Sequence, residues 1–263
     1  MNINEKFKSL LKSNSKNLET SKISLISNDS YMYQNTLNLT IGKPGSGKTL
    51  AMIYELAVLH DKFDKIIYIT RENKVDKTFN TFIPLIKTNI LHVLEEDFVE
   101  FIIKYIEALD MIIKIKNGEK GNVKKISKYL GIEEKDVLNS KPFYTFILFE
   151  DASDSKLFDK KNSIFVDLLR IFRHYYITSV AIIHSFKFFP IHLREYVFTI
   201  TVFKGFSKQR LNHMYGQSNI TENFNDVWEK YKKLIHNVEK SKTEVLIFDF
   251  ITGFTKVKTY DFN

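Results

Sequence analysis

Eight consecutive residues, Gly42-Lys43-Pro44-Gly45-Ser46-Gly47-Lys48-Thr49, satisfy every position of the pattern G-x-x-x-x-G-K-[ST]. They are preceded by the strand-like LNLTI and followed by the helix-like LAMIYELAVLH. Such a run works only as a turn between a buried strand and the start of a helix, so few folds remain open to the chain. The glycines let the backbone curl until successive N–H groups converge on a phosphate, and the helix adds its positive end. Gly42, Pro44, Gly45, Ser46 and Gly47 thus form the candidate cradle. Lys48 is expected to bridge β- and γ-phosphates, and the Thr49 hydroxyl to hold Mg²⁺. The expected ligands are ATP and Mg²⁺.

The rest of the chain alternates short apolar runs with helical periodicity, the rhythm of an α/β protein with a mainly parallel sheet wound with helices. Strands are expected at 37–42, 65–70, 89–94, 143–151, 178–185, 198–204 and 244–250. Helices are expected at 48–60, 95–117, 163–176, 190–197, 208–215 and 222–237, with Ser163 and Thr221 as N-caps and Pro190 in a first turn. Residues 1–35, rich in Ser, Asn and Lys, read as an N-terminal arm outside the core. Residues 36–263 read as a single domain, interrupted at 117–142 by a lysine-rich surface insertion.

Composition narrows the chemistry. The 263 residues include no cysteine, which removes disulfides, thiolate metal sites and cysteine nucleophiles and suits a reducing compartment. The 39 basic and 31 acidic residues leave a formal charge of +8, which favours a polyanionic partner. No run approaches the roughly 18 apolar residues of a membrane span, and MNINEKFKSLLKSNSK has no apolar signal core. The expectation is a soluble, intracellular protein with no membrane partner.

A phosphate loop needs a carboxylate at the end of a neighbouring strand, and FYTFILF followed by Glu150-Asp151 supplies two. Glu150 is expected near Mg²⁺, and Asp151 is expected to orient the attacking water or accept its proton. Asn73-Lys74-Val75-Asp76 matches the guanine-reading N-K-x-D, but it lies 25 residues after Lys48 and no D-x-x-G is present, so it reads as a solvated loop. The chain lacks L-S-G-G-Q, against a transporter-type ATPase. A kinase lid usually carries arginines to clamp phosphoryl groups; the insertion has none.

GKPGSGKT, FILFED, the stretch Arg173-His174-YYITSVAII-His184-Ser185 and the later EVLIFDF together resemble the FtsK/HerA superfamily, most closely its viral genome-packaging ATPases. The resemblance covers about residues 37–250. It implies a RecA-like P-loop NTPase that hydrolyses ATP and translocates double-stranded DNA, independently of sequence, into a capsid. It further implies a homo-oligomeric ring, capsid proteins as further partners, and a location in a virus factory, host cytoplasm or virion. His184 stands where the family usually has a sensor Gln, and Glu150-Asp151 varies the usual acidic pair. In such rings an arginine from the neighbour completes each site; Arg173 is the first candidate and Arg194 the second.

DNA contact has two candidates: the insertion lysines Lys120, Lys124, Lys125 and Lys128, and the loop Ser185-Phe-Lys187-Phe-Phe-Pro190, where a cation lies among aromatics. The rival readings are a nucleotide-dependent assembly module without motor activity and a P-loop kinase.

Overall fold

Strands that are apolar on both faces need cover on both sides, and the fold provides it. The structure, a computed structural model, describes residues 23–27, 30–72, 77–138, 142–159, 163–236 and 242–261. The strands are β1 (Leu37–Ile41), β2 (Lys65–Thr70), β3 (Ile90–Leu94), β4 (Thr145–Phe149), β5 (Ile177–Ile183), β6 (Val197–Val202), β7 (Lys242–Asp249) and β8 (Phe254–Asp261). They form one sheet in the order β3-β2-β4-β5-β1-β6-β7-β8. The first six in that order run parallel, and β7 and β8 add antiparallel pairings at one edge.

The helices are α1 (Lys48–Leu59), α2 (Lys77–Phe82), α3 (Phe98–Lys116), α4 (Val123–Leu130), α5 (Glu134–Leu138), α6 (Ser163–Phe172), α7 (Lys208–Tyr215) and α8 (Phe224–His236). Successive strand residues face opposite ways, so the sheet feeds two cores. Leu39, Ile67, Ile147, Ala181 and Ile200 pack with residues of α3, α6 and α8. Tyr68, Phe146, Leu148, Val180 and Ile182 pack on the other face with Met52 and Leu56 of α1 and Phe79 of α2. Among the described residues no helix is long and apolar enough to cross a membrane.

Four expectations need correction. An eighth strand, β8, pairs with β7 along its length, from Lys242↔Asp261 to Asp249↔Phe254. Its sequence carries little strand signal because this edge strand buries only Thr255 and Tyr260 closely. Residues 190–197 wind as a 3₁₀ segment, Ile191–Tyr196, rather than an α-helix, a form suited to short runs. Thr221 does not cap α8: its hydroxyl donates to the Gly253 carbonyl, while the Asn223 side chain accepts from the Asn225 N–H. Nor does the chain before residue 36 lie wholly outside the core, since Ile26, Tyr31, Met32 and Tyr33 are buried.

The lysine-rich stretch folds as α4 and α5. Ile126, Leu130 and Val137 turn into the core while Lys120, Lys124, Lys125 and Lys128 stay exposed. The buried Lys65 at the start of β2 donates to the Leu130 carbonyl at 3.0 Å and to Asn89 Oδ1 at 2.9 Å. That bond ties α4 to the end of the sheet where strands begin.

Asp249 holds the segment before β1. Its carboxylate accepts from the Tyr33 hydroxyl at 3.0 Å, from the Ile251 and Thr252 amides at 3.1 Å, and from Lys256 at 2.7 Å. Burial pushes this carboxyl up, but Lys256, the Thr252 amide and Tyr33 outweigh it and leave it below the usual aspartate range. With the folded value below the unfolded one, the resulting stability is complete above the ordinary aspartate range and is lost as pH falls through the folded value. Asp249→Asn is expected to cost about 2–3 kcal/mol at neutral pH. Urea denaturation of both proteins from pH 7 down to pH 3 should show the gap narrowing with acidity.

Candidate nucleotide-binding site

The site begins with β1, which lies between β5 and β6; beyond a register shift against β6 between Leu37 and Asn38, Ile41 is level with Ile183 and with Val202. Three strands therefore end together, and Gly42, His184 and Phe203 emerge side by side. The Gly42 N–H donates to the Ile183 carbonyl at 3.2 Å, and the Phe203 N–H donates to the Ile41 carbonyl at 2.9 Å. A Cβ at Gly42 would stand 2.5 Å from Ser46 Oγ and 2.8 Å from Phe203 Cβ. Gly45 and Gly47 adopt left-handed φ of 73° and 89°, which favour a residue without a Cβ.

Gly47 precedes α1, whose first turn carries neither a side-chain cap nor an acidic residue. Its positive end is thus left for an external anion. Ser46 Oγ is buried and makes no hydrogen bond among the described residues, an acceptor and donor group held inside the loop. A cradle with no room for a Cβ, a buried hydroxyl and an uncapped helix start all fit a bound phosphate.

Lys48 is buried, with its ammonium donating to the carbonyls of Gly42 at 2.8 Å and Lys43 at 2.9 Å and standing 3.3 Å from His184 Nδ1. Burial lowers its pKa, while the nearby charges of Glu150 and Asp151 oppose that shift. The Thr49 hydroxyl donates to Glu150 Oε1 at 2.8 Å. A hydroxyl and a carboxylate in that arrangement are the hard oxygen donors Mg²⁺ takes alongside substrate phosphates. Thr49 and Glu150 therefore fit the metal side.

Asp151 takes a left-handed φ of 45° directly after β4, a conformation that Asp tolerates better than most residues. The turn sends its carboxylate to His184 Nε2, 2.9 Å away. The Asp151 carboxylate accepts from Nε2, while Nδ1 lies 3.3 Å from both the Lys48 ammonium and the Gly42 carbonyl oxygen. Asp151, His184 and Lys48 form one continuous chain. Ser153 Oγ accepts from the His184 N–H at 2.7 Å and fixes that end of β5.

The two arginines lie elsewhere. Arg173 is exposed in the turn that opens β5, and that strand separates it from His184 by roughly 20 Å. Arg194 is occupied within its own chain: Nη2 donates to the carbonyls of Phe186 at 3.0 Å and Phe189 at 2.7 Å, and the guanidinium lies 4.2 Å from the Phe186 ring centre. Phe186 and Phe189 are themselves buried, so in this loop they anchor rather than stack on bases. Asn73–Asp76 lies outside the described residues.

Sequence reading missed Ser153 and Phe203. Neither belongs to a motif: Ser153 meets His184 across 31 residues, and Phe203 matters only because β6 ends level with β1.

The fold and this loop define a RecA-like P-loop ATPase architecture. The chain is similar to the DNA-packaging ATPase B204 from Sulfolobus Turreted Icosahedral Virus, with a TM-score of 0.51 and 14% identity, covering 85% of this chain and 96% of that one. It is also similar to the pCW3 conjugation coupling protein TcpA with ATPγS, with a TM-score of 0.50 and 14% identity over 88% of this chain and 61% of that one. EssC (ATPases 2 and 3) from Geobacillus thermodenitrificans gives a TM-score of 0.51 and 10% identity over 93% and 46%. At such identities the fold is what is shared, and it agrees with the FtsK/HerA resemblance of the motifs. No protein-family model matches the chain, and no curated protein matches it significantly in sequence.

Substitutions at two positions test the site. Gly42→Ala must displace Phe203 Cβ or the loop and is expected to cost about 1–3 kcal/mol, with on the order of tenfold weaker binding of a fluorescent ATP analogue. His184→Gln can still donate to Asp151 and accept from Lys48, so its turnover should stay within about tenfold of wild type, whereas His184→Ala should lose about a hundredfold or more.

Proposed function

We propose that this chain is an ATP-hydrolysing motor that moves double-stranded DNA, without regard to sequence, into a viral capsid. The observation that carries the reading is the joining of two groups at the ends of the parallel strands: the Thr49–Glu150 pair and the Asp151–His184–Lys48 chain, both beside the loop. The shared fold with a viral DNA-packaging ATPase supports the direction of the motor reading.

In this mechanism the loop amides and Lys48 bind the β- and γ-phosphates. Mg²⁺, held through Thr49 and Glu150, neutralises phosphate charge when bound. Asp151 takes a proton from the attacking water as its oxygen bonds to the γ-phosphorus and the bond to the β-bridging oxygen breaks. His184 donates through Nε2 to keep that carboxylate aimed and ionised. Lys48 leaves the Gly42 and Lys43 carbonyls for the phosphates, which also withdraws its ammonium from His184 Nδ1, so phosphate binding is felt at Asp151 through one ring.

The site of one subunit is completed by an arginine of the next in a homo-oligomeric ring. We assign Arg173 to that role because it is exposed and a strand's length from its own loop, and Arg194 to holding the 186–189 turn. Capsid proteins are the further partners of this reading.

The test is ATP hydrolysis with and without linear duplex DNA at protein concentrations that permit assembly. Turnover should rise with DNA and fall to background in Lys48→Ala and Asp151→Asn. Arg173→Ala should retain nucleotide binding but lose about 10³-fold or more of assembled turnover. DNA-independent turnover in confirmed oligomers would favour the assembly-module reading, and phosphate transferred to an acceptor other than water would favour a kinase.

A further inference from the structure

Beside the loop lies an open cleft of about 700 Å³, lined by Lys43, Pro44, His184–Lys187, Phe206, Gln209, Arg210 and His213. Its lining holds three permanent cations, two imidazoles and no carboxylate. Among the described residues no ion pair joins Lys43, Lys187 or Arg210 to an acid. All three are exposed, over a floor made by the buried Phe186 and Phe206.

The cleft is built rather than incidental. Tyr231 of α8 donates its hydroxyl to the Phe203 carbonyl at 2.9 Å and accepts from the Phe206 N–H at 2.8 Å, which fixes the turn between β6 and α7. Gly205 in that turn has φ 107°, and a Cβ there would stand 3.0 Å from Lys43 Cδ. The stem of a loop lysine therefore lies on the turn that leads into α7. On α7, Leu211 and Met214 are buried, and Lys208, Gln209, Arg210 and His213 are left on the exposed side.

We propose that this cleft seats the phosphodiester backbone of nucleic acid, with Lys187 and Arg210 as its principal phosphate contacts. The inference rests on the motor reading and says where that motor holds its substrate. Cations that form no ion pair suit a polyanion bound through its phosphates, which are the sequence-independent part of DNA. Position separates the cleft from the other lysine-rich surface. The insertion lysines sit on the α4 side, which Lys65 ties to the end of the sheet where strands begin, roughly 15–20 Å from the nucleotide loop along the strands. The cleft shares Lys43 and His184 with the loop and its catalytic chain, so a change at the phosphates is transmitted to bound DNA without crossing the sheet.

The experiment measures binding of a labelled linear duplex as a function of salt for wild type, the double variant Lys187→Gln/Arg210→Gln, Arg210→Lys, and a quadruple Gln variant of Lys120, Lys124, Lys125 and Lys128. A fluorescent ATP analogue is titrated in parallel. Removing two phosphate contacts should flatten the slope of log affinity against log salt by about 1.8. Arg210→Lys and the quadruple variant should keep the wild-type slope, and nucleotide affinity should stay within about twofold throughout. A double variant with the wild-type slope overturns the proposal. So does one that loses nucleotide affinity as much as DNA affinity, which would make the cleft part of the nucleotide seat. Failure of wild type to bind duplex at any salt would instead overturn the motor reading, and the cleft with it.

Discussion

The pairing of β1 with β5 on one side and β6 on the other is what the rest of the structure depends on. Parallel strands in matched register end at the same level, and Ile41, Ile183 and Val202 do so here. Three groups of the site then follow from the very next residue. Gly42 begins the loop, His184 reaches Lys48 and Asp151, and Phe203 closes the space that a Cβ at Gly42 would need. A slip of one residue would exchange the side chains that fill the two cores and would also part His184 from the lysine it meets.

Charged groups buried against the sheet are each held by partners, at both of its ends. Both faces of the central strands are covered, and burying a charge without a partner is costly. Lys48 is held by two carbonyls and a ring nitrogen, and Asp249 by a tyrosine, two amides and a lysine. The buried Glu55 of α1 pairs with Lys258 of β8. This last pair ties the helix that follows the phosphate loop to the final strand, so the C-terminal hairpin is part of the loop's support.

Two basic surfaces have different standing because of where the fold puts them. The lysines of α4 rest on apolar residues that fill the core at the far end of the sheet. Lys187 and Arg210 come from separate segments and meet across a cleft that opens onto the nucleotide loop. Charge counted along the chain draws the eye to the first; only the second adjoins the glycine-rich loop.

The phosphate loop, its strand and helix, the buried strand ending in Glu150-Asp151 and the six-strand parallel rhythm were legible in the amino-acid sequence, because each depends on residues adjacent in the chain or on a short apolar period. The strand β8 was not, since its polar edge residues acquire strand geometry only through pairing with β7. The burial of residues 31–33 was hidden because Tyr33 meets Asp249, 216 positions away, and Tyr31 and Met32 join a core that includes Val245 and Tyr260. Residue identities alone determined that a phosphate could be cradled and which acids and histidine stood ready. Tertiary structure alone decided that Asp151, His184 and Lys48 join into one chain of contacts, that Arg194 is occupied by carbonyls of its own polypeptide, and that a basic cleft adjoins the loop. Such contacts depend on strand register and turn geometry, and these are set by packing among residues far apart in the chain.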